Sequence, residues 1–358
     1  MGAGPAGSAA AMTLATSPGL EVVLVDRAHF PRTKVCGSGL SPWALALLDE
    51  LGVGEDVRRE AYPIRAAVIG SGRAAAIELR GRHEAAVLLR ERLDELLVQA
   101  AVRTGARLVE GTLVRSALRS DGRVVGVETD AGAIEADAVL DCSGATTRLS
   151  RSSRPGRTLH TIMGWYEGVA GTFDAVELYF DPAIRPHYGW VFPESPERVN
   201  IGICFAPRRG EPNARERFGE FIDQRLADRM RSAVQVGKLV GHPIATTHRP
   251  TALATDGMLI AGEAGRLVDP ATAEGIHQAL ASGRLAGRLV ASLLADDRVP
   301  TPELTAGYTR AVRREVGRRL LGGELLLGLL RTPVFDFALR FGSHAPVQAA
   351  LTRALAGA

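Results

Sequence analysis

Gly2-Ala-Gly4-Pro-Ala-Gly7 runs without a break into Ser8-Ala-Ala-Ala-Met-Thr-Leu-Ala15, so the chain opens as G-x-G-x-x-G followed by a helix of small residues. In this pattern Gly2 permits a tight turn, Gly4 lets a pyrophosphate approach the backbone, and Gly7 lets the helix press against a sheet. Pro5 and Ala6 then begin the helix, whose N-terminus offers unpaired N–H groups and a positive dipole end to phosphate. The following apolar run, Glu21-Val-Val-Leu-Val25, ends in Asp26, placed to take a ribose 2′-hydroxyl. The acid turns a weak glycine pattern into a specific dinucleotide signature. The motif ordinarily follows a buried apolar strand, yet only Met1 precedes Gly2. The expectation is a Rossmann-like domain whose first strand is missing from the chain as given, either because the true start lies upstream, the favoured reading, or because the domain lacks its middle strand.

The totals agree with a soluble globular protein of two closely packed domains or one large one: 358 residues, 46% hydrophobic and 23% charged. A net charge of +3 is too small and too dispersed to argue for nucleic acid. The heavy use of alanine, glycine and arginine reads as compositional bias. Cys36, Cys142 and Cys204 share no C-x-x-C spacing, so neither a disulfide framework nor a cysteine-held metal is suggested, and a reducing cytoplasm fits. No basic region precedes the small-residue run, unlike a signal peptide. No stretch of about eighteen apolar residues spans a membrane.

After Asp26-Arg27 the loop Phe30-Pro-Arg-Thr-Lys34-Val-Cys36-Gly37-Ser-Gly39 carries bases, a thiol and two glycines between a strand and a helix. Such a loop suits an anionic cofactor, the plain alternatives being a solvated surface for Arg32 and Lys34 and a buried small hydrophobe for Cys36. Short strands follow at 65–70 and 75–79. Leu93, Leu96, Leu97, Ala100 and Ala101 have helical spacing, stopped by Gly105, and Arg90 at the helix entry either reaches a phosphate or is an ordinary surface arginine. Residues 106–141 read as strands with a hairpin turn at Asp121-Gly122, delivering Cys142-Ser-Gly144 and, beyond it, Arg148 at a second glycine corner.

Between 157 and 205 the sequence turns aromatic and alternating, through Trp165, Tyr188, Trp190 and Phe192. This is the pattern of an antiparallel sheet inserted between two halves of the nucleotide domain, with an aromatic face suited either to an apolar ligand or to a core. A charged amphipathic helix over 214–232 reads most simply as a solvated face. The chain returns through Gly257-Met-Leu-Ile-Ala-Gly262-Glu263 to Pro270, then Gly275-Ile276 opens a long helix whose dipole suits a developing negative charge. The basic turns of 310–319, the leucine-rich turns of 320–330 and the run from Phe335 to Phe341 suit either helices packed on the body or an anionic lipid surface on the cytoplasmic face.

The order of these motifs resembles FAD-dependent oxidoreductases of the para-hydroxybenzoate hydroxylase type, and within them the geranylgeranyl reductase family. The resemblance rests on Pro31–Pro42, on Tyr188-Gly-Trp-Val-Phe-Pro193, and on Gly262–Pro270 running into Glu274-Gly275-Ile276. It implies an α/β (α+β) fold: an FAD-binding domain over 1–60, 85–150 and 250–300, an inserted antiparallel-sheet substrate domain over 61–84 and 151–249, and C-terminal helices over 301–358. It implies FAD, with the adenylate at Gly2–Gly7, Asp26 and Arg27, and Arg90, Lys34 and Gly144 nearby. The chain at Gly262, Glu263 and Pro270 would hold ribityl and pyrophosphate, with the flavin ring beside Cys36-Gly37 and Gly275-Ile276. Cys36 and Gly37 would form the reacting face, Cys36 shaping the pocket or helping to deliver a proton, without a base to make it a nucleophile.

Three departures stand out. The usual Gly-Asp corner is Gly262-Glu263, the Asp-Gly corner is Ser143-Gly144, and the glycine before Glu274 is Ala273. The expected activity is reduction of C=C bonds in a geranylgeranyl or polyprenyl chain on a lipid, quinone or pigment precursor. The substrate would enter beside Trp165, Tyr188, Trp190 and Phe192. NAD(P)H, another reductant or an electron-donor protein would supply electrons. The competing readings are a flavin monooxygenase of an aromatic or polyketide substrate and a non-catalytic flavin module.

Overall fold

The computed structural model describes residues 1–72, 76–80, 84–147, 149, 156–171, 174–207, 210 and 212–340. Arg148 and the segment 341–358 lie outside them. Its nucleotide domain is built on short parallel strands. Val23–Val25 pairs with Arg107–Val109, and Val139–Asp141 pairs with Met258–Ile260. Met1 and Gly2 lie between the two pairs: the Gly2 amide donates to Val25 O at 2.7 Å and the Cys142 amide to Met1 O at 2.9 Å. The spatial order is therefore 107–109, 23–25, 1–2, 139–141, 258–260, a doubly wound arrangement with the N-terminal glycine turn at its centre.

Eight named helices complete the frame: α1 (Pro5–Ala15), α2 (Pro42–Glu50), α3 (Gly54–Glu60), α4 (Arg90–Arg103), α5 (Ala214–Phe221), α6 (Ile276–Ala295), α7 (Pro302–Leu330) and α8 (Pro333–Arg340). The alanine and glycine content has a structural use at the α1–α6 crossing. A Cβ on Gly283 would fall 2.0 Å from Ala6 O, and one on Gly287 2.8 Å from Ala10 O. Only small residues let these two backbones touch, and that contact fixes the first helix over the sheet. Composition read as bias is, at this crossing, a packing requirement.

The hairpin 114–120/123–129 turns where expected, with Asp121 at φ 49° and Gly122 at φ 82°, the two positive angles of a type I′ turn. Gly39–Leu40, Ala85–Val87 and Tyr62–Ile64 form a small antiparallel sheet beside the cysteine loop.

The second sheet has the order 234–246, 157–167, 198–205, 189–193, 175–179, 66–70, 77–79, antiparallel except where 175–179 meets 66–70. Period-two alternation gives it two apolar faces. Ile162, Val191, Ile201 and Ile203 look one way, onto Phe218, Phe221 and Leu226. Met163, Trp190 and Cys204 look the other way, toward Leu327 and Phe335. The region 214–232 is consequently not a solvated face. Its α-helix ends at Phe221, its aromatics are buried, Arg229 pairs with Glu177 at 2.6 Å, and Arg225 pairs with Asp181.

α7 joins the two parts. Tyr308, Val312, Val316 and Leu320 pack into the nucleotide domain, and Leu327 and Leu330 into the second sheet. No helix among the described residues is long and apolar enough to cross a membrane.

Candidate functional site

The three glycines of the opening motif do different things. Gly2 sits at φ +81°, where a Cβ would meet Cys142 O at 2.4 Å. Gly7 is pinned by packing, since its Cβ would lie 1.9 Å from Gly2 O. Gly4 is different: φ is −78°, and the Cβ position is open except for Arg32 Nη2 at 3.6 Å and Arg90 Nη2 at 3.8 Å. It is the one glycine of the motif whose missing side chain leaves room for a ligand. No side chain caps α1, whose N-terminus faces that space. Asp26 is fixed at the strand end. Its Oδ2 accepts from Ala3 N at 2.7 Å and its Oδ1 from Ala28 N at 2.9 Å.

The arginines over Gly4 are held from behind by Asp94, a residue the sequence reading passed over. Asp94 is wholly buried; it accepts from Arg90 Nε at 2.9 Å and Nη2 at 2.8 Å, and Arg32 Nη2 lies 3.0 Å from it. A carboxylate one turn after Arg90 on an apolar helix face was the available signal. Burial works against the Arg90 charge, but Asp94 and Cys36 more than offset it and hold the group protonated. Lys34 is pushed down by burial against the pull of Glu263. His242 is lowered to about 4 by burial and by Lys34, Arg27 and Arg90, and its Nε2 has no protein partner. Arg27, Arg32, Arg90, Lys34 and His242 thus line the same cavity, with Arg32 and Arg90 nearest to Gly4.

These groups open into one cavity of about 610 Å³ that continues to the second sheet. At the end beside the glycine turn it is lined by Gly2, Gly4, Pro5, Ala6, Asp26 and Arg27. Lys34, Arg90, Gly144 and Glu263 line its flank, and Cys36, Gly37, Gly275 and Ile276 its middle. Gly144, at φ +81°, leaves open space, and it is presented by buried Asp141, which accepts from the Ser143 hydroxyl at 2.5 Å and Thr147 Oγ1 at 2.7 Å. The acid absent from the Ser143-Gly144 corner is thus two residues earlier and committed to the turn. Glu263 accepts from Ala245 N at 3.1 Å, and burial raises its carboxyl against the pull of Lys34.

The inner end is apolar. Tyr188, Trp190 and Phe192 line it together with Met163, Val176 and Leu178, none of the last three singled out from sequence. A Cβ on Gly37 would stand 3.2 Å from both Phe192 and Trp190 Nε1, so the cysteine loop lies directly on the aromatic strand. Trp190 Nε1 donates to the buried Asn200 Oδ1 at 2.7 Å, fixing the indole. Tyr188 donates its hydroxyl to Thr272 O, tying the 270–276 loop to the sheet.

Four expected site residues do not line the cavity. Gly7 and Gly262 act in packing, Gly262 at φ +61° facing Ala6 at 3.0 Å, and Pro270 is buried beneath the loop. Trp165 is on the same strand face as Met163 but past the cavity edge, where its Nε1 donates to Glu194 at 2.8 Å. Among the described residues no group of His, Cys, Asp and Glu could hold a metal ion.

The donor set fits FAD on chemical grounds. A backbone cradle at Gly4, a helix N-terminus, fixed cations and the unpartnered Nε2 of His242 match a pyrophosphate, Asp26 matches a ribose, and the small-residue stretches Cys36-Gly37 and Gly275-Ile276 leave width for a flat ring.

A family model described as an FAD binding domain matches residues 1–321. The chain is 31% identical over 316 residues to digeranylgeranylglycerophospholipid reductase 1 of Methanopyrus kandleri, covering 83% of this chain and 80% of the relative. It is 32% identical over 321 residues to the menaquinone reductase of Mycolicibacterium smegmatis, covering 82% and 75%. It superposes on a geranylgeranyl bacteriochlorophyll reductase-like protein from Thermoplasma acidophilum with a TM-score of 0.86, at 20% identity over 98% of this chain and 94% of that one. A flavin-dependent brominase superposes with a TM-score of 0.83, at 20% identity over 99% and 92%. At that identity both structural likenesses speak for the fold alone.

Proposed function

The chain belongs to the geranylgeranyl reductase family of FAD-dependent oxidoreductases, and we propose that it reduces C=C bonds of an isoprenoid chain carried on a lipid or quinone. The observation that carries the reading is the continuity of one cavity from a cation-lined nucleotide end to an aromatic, apolar end. Relatives named as reductases of a digeranylgeranyl lipid and of menaquinone support that substrate class. FAD supplies the hydride once reduced by NAD(P)H, another reductant or a donor protein.

In this reading Arg90, Arg32 and Lys34 neutralise the pyrophosphate, Asp26 takes the adenosine ribose, and Gly4 and the α1 N-terminus give the phosphates backbone donors. Gly144 and Glu263 flank the ribityl chain, and Gly275-Ile276 and Cys36-Gly37 bound the ring. Cys36 shapes the reacting face, so Cys36→Ser changes turnover or bond selectivity while FAD stays bound. Tyr188, Trp190 and Phe192 exclude water and hold the chain, each buried methylene being worth about 0.8 kcal/mol.

A long chain needs a route from its lipid phase. Leu321, Leu325 and Leu329 are 52%, 69% and 38% exposed, four residues apart on α7, with Val334 at 57% on α8. Arg310, Arg314 and Arg318 are exposed on the preceding turns at the same spacing. A basic stripe continued by a leucine stripe supports peripheral docking on an anionic leaflet. The test of the function is anaerobic reoxidation of the reduced flavoprotein by a polyprenyl quinone in liposomes, with a product heavier by two hydrogens. Reoxidation by oxygen alone, with an oxygen atom in an aromatic product, would favour the monooxygenase.

A further inference from the structure

Alkene reduction needs a proton as well as a hydride, and an acid lining the cavity is the natural source of it. Most of its titratable groups are engaged elsewhere. Asp26 holds the amides of Ala3 and Ala28, and Glu263 faces Lys34 and accepts from Ala245 N. Cys36 lies beside Arg90 and accepts from Ser38 N at 3.3 Å. The Tyr188 hydrogen is given to Thr272 O, and His242 stands with the cations at the nucleotide end.

Glu274 is different. It lines the same cavity immediately before Gly275 and Ile276, on the loop that Tyr188 ties to the aromatic sheet. Its side chain is held by a neutral group, the Ser41 hydroxyl, which donates to Oε1. The orientation of that hydroxyl is set by the fold: Ser41 caps α2, its oxygen accepting from Ala44 N at 3.3 Å, which leaves its hydrogen for Glu274. With Oε1 so occupied, Oε2 is the oxygen free to carry a proton. The turn that presents the carboxyl is itself forced, since Ala273 adopts φ +54°.

We propose that Glu274 is the acid that protonates the substrate alkene, with Ser41 as the residue that positions its carboxyl. The role rests on the isoprenoid-reductase reading above. In the step the double bond takes a hydride from the reduced flavin at one carbon and the Glu274 proton at the other. The π bond breaks, two C–H bonds form, the flavin is oxidised by two electrons, and the carboxylate regains its proton from water before the next turnover. The surroundings favour the protonated form: burial raises the Glu274 carboxyl and nearby Asp269 adds to it, while Ser41 and Arg319 of α7 pull the other way. Arg319 lies over the Trp43 ring, its Nη1 has no hydrogen-bond partner, and among the described ion pairs none joins it to Glu274, so its charge acts on the carboxyl only through space.

The test compares wild type, Glu274→Gln and Glu274→Asp as FAD-loaded proteins reduced with dithionite under argon. Glu274→Gln keeps the shape and an acceptor for Ser41 but has no proton to give. The expected result is unchanged FAD affinity and dithionite reduction, with reoxidation by a polyprenyl quinone slowed by about 10²- to 10⁴-fold, the usual contribution of a positioned acid. Glu274→Asp recovers part of the rate. Wild-type turnover declines as pH rises through one ionisation, and that ionisation is missing from Glu274→Gln. Independently of turnover, the infrared difference between wild type and Glu274→Gln at neutral pH shows the carbonyl stretch of a protonated carboxyl. Reoxidation of Glu274→Gln at the wild-type rate and with the wild-type pH profile, or the absence of that carbonyl band, would overturn the role. A wild type that never reduces the quinone while oxygen reoxidises it normally would instead overturn the parent reading, and this role with it.

Discussion

Gly4→Ala separates ligand from fold at the centre of the nucleotide site. The new methyl meets nothing closer than the Arg32 and Arg90 nitrogens at 3.6 and 3.8 Å, and the backbone at φ −78° accepts alanine. Loss of a glycine N-cap costs the fold about 1 kcal/mol or less. The same methyl stands in the space between the backbone and the two guanidiniums, so a pyrophosphate must withdraw from the helix N-terminus. Losing two charge-assisted hydrogen bonds at about 1.5–3 kcal/mol each gives about 3–6 kcal/mol, or about two to four orders of magnitude in Kd. The assay is quenching of flavin fluorescence on titration into apoprotein, with riboflavin, which lacks the pyrophosphate, as control. FAD affinity falls steeply, riboflavin affinity stays, and the urea midpoint barely moves. Gly7→Ala gives the opposite pattern. Its methyl would lie 1.9 Å from Gly2 O, costing about 3 kcal/mol or more of stability. Gly4→Ala binding FAD like wild type, or unfolding like Gly7→Ala, would refute the assignment of roles within the motif.

Ala273→Gly relieves the left-handed backbone before Glu274 and raises the stability of the apoprotein by up to about 1 kcal/mol in urea unfolding; a loss of stability would mean that the turn is not strained. The His242 ring is held neutral, at about 4, in the free protein, and bound phosphate raises that value. FAD affinity is therefore greatest at low pH and declines as pH rises through the bound-state value, and His242→Ala flattens the profile; identical profiles would remove the imidazole from the phosphate site. Replacing Leu321 and Leu325 with glutamate abolishes co-sedimentation with phosphatidylglycerol vesicles while leaving FAD content intact, and undiminished sedimentation would reject the α7 stripe as the lipid contact.

How much of this was legible in the sequence differs from place to place, for physical reasons. The glycine turn, Asp26 and the helix at 90–103 follow from local rules, because turn geometry and apolar period are properties of neighbouring residues. The fold class followed from the order of such segments. Only half of the use of Asp94 is local: its pairing with Arg90 one turn earlier follows from helix spacing, whereas Arg32, sixty-two residues earlier, is brought to it only by the folded loop. Trp165 shows the limit of alternation: it is on the cavity side of its strand, but the strand runs past the cavity, and periodicity reports a face without a depth. The 214–232 helix was misread because its charges mask the phenylalanines, and because Asp181 and Glu177, which pair its arginines, lie on a different part of the chain. Glu274 was visible only as part of the Glu274-Gly275-Ile276 motif, and its pairing with Ser41 was not, because the fold alone brings together two residues so far apart in the chain.

In the proposed function one cavity lets bound FAD meet an isoprenoid chain. The most direct measurement is stopped-flow reoxidation of the dithionite-reduced holoprotein, without oxygen, by a polyprenyl quinone in anionic vesicles, followed by product mass. The expected result is flavin reoxidation at a rate that rises with quinone concentration, and a product heavier by two hydrogens in its side chain. Flavin that stays reduced until oxygen is admitted, with the prenyl chain unchanged, would contradict it.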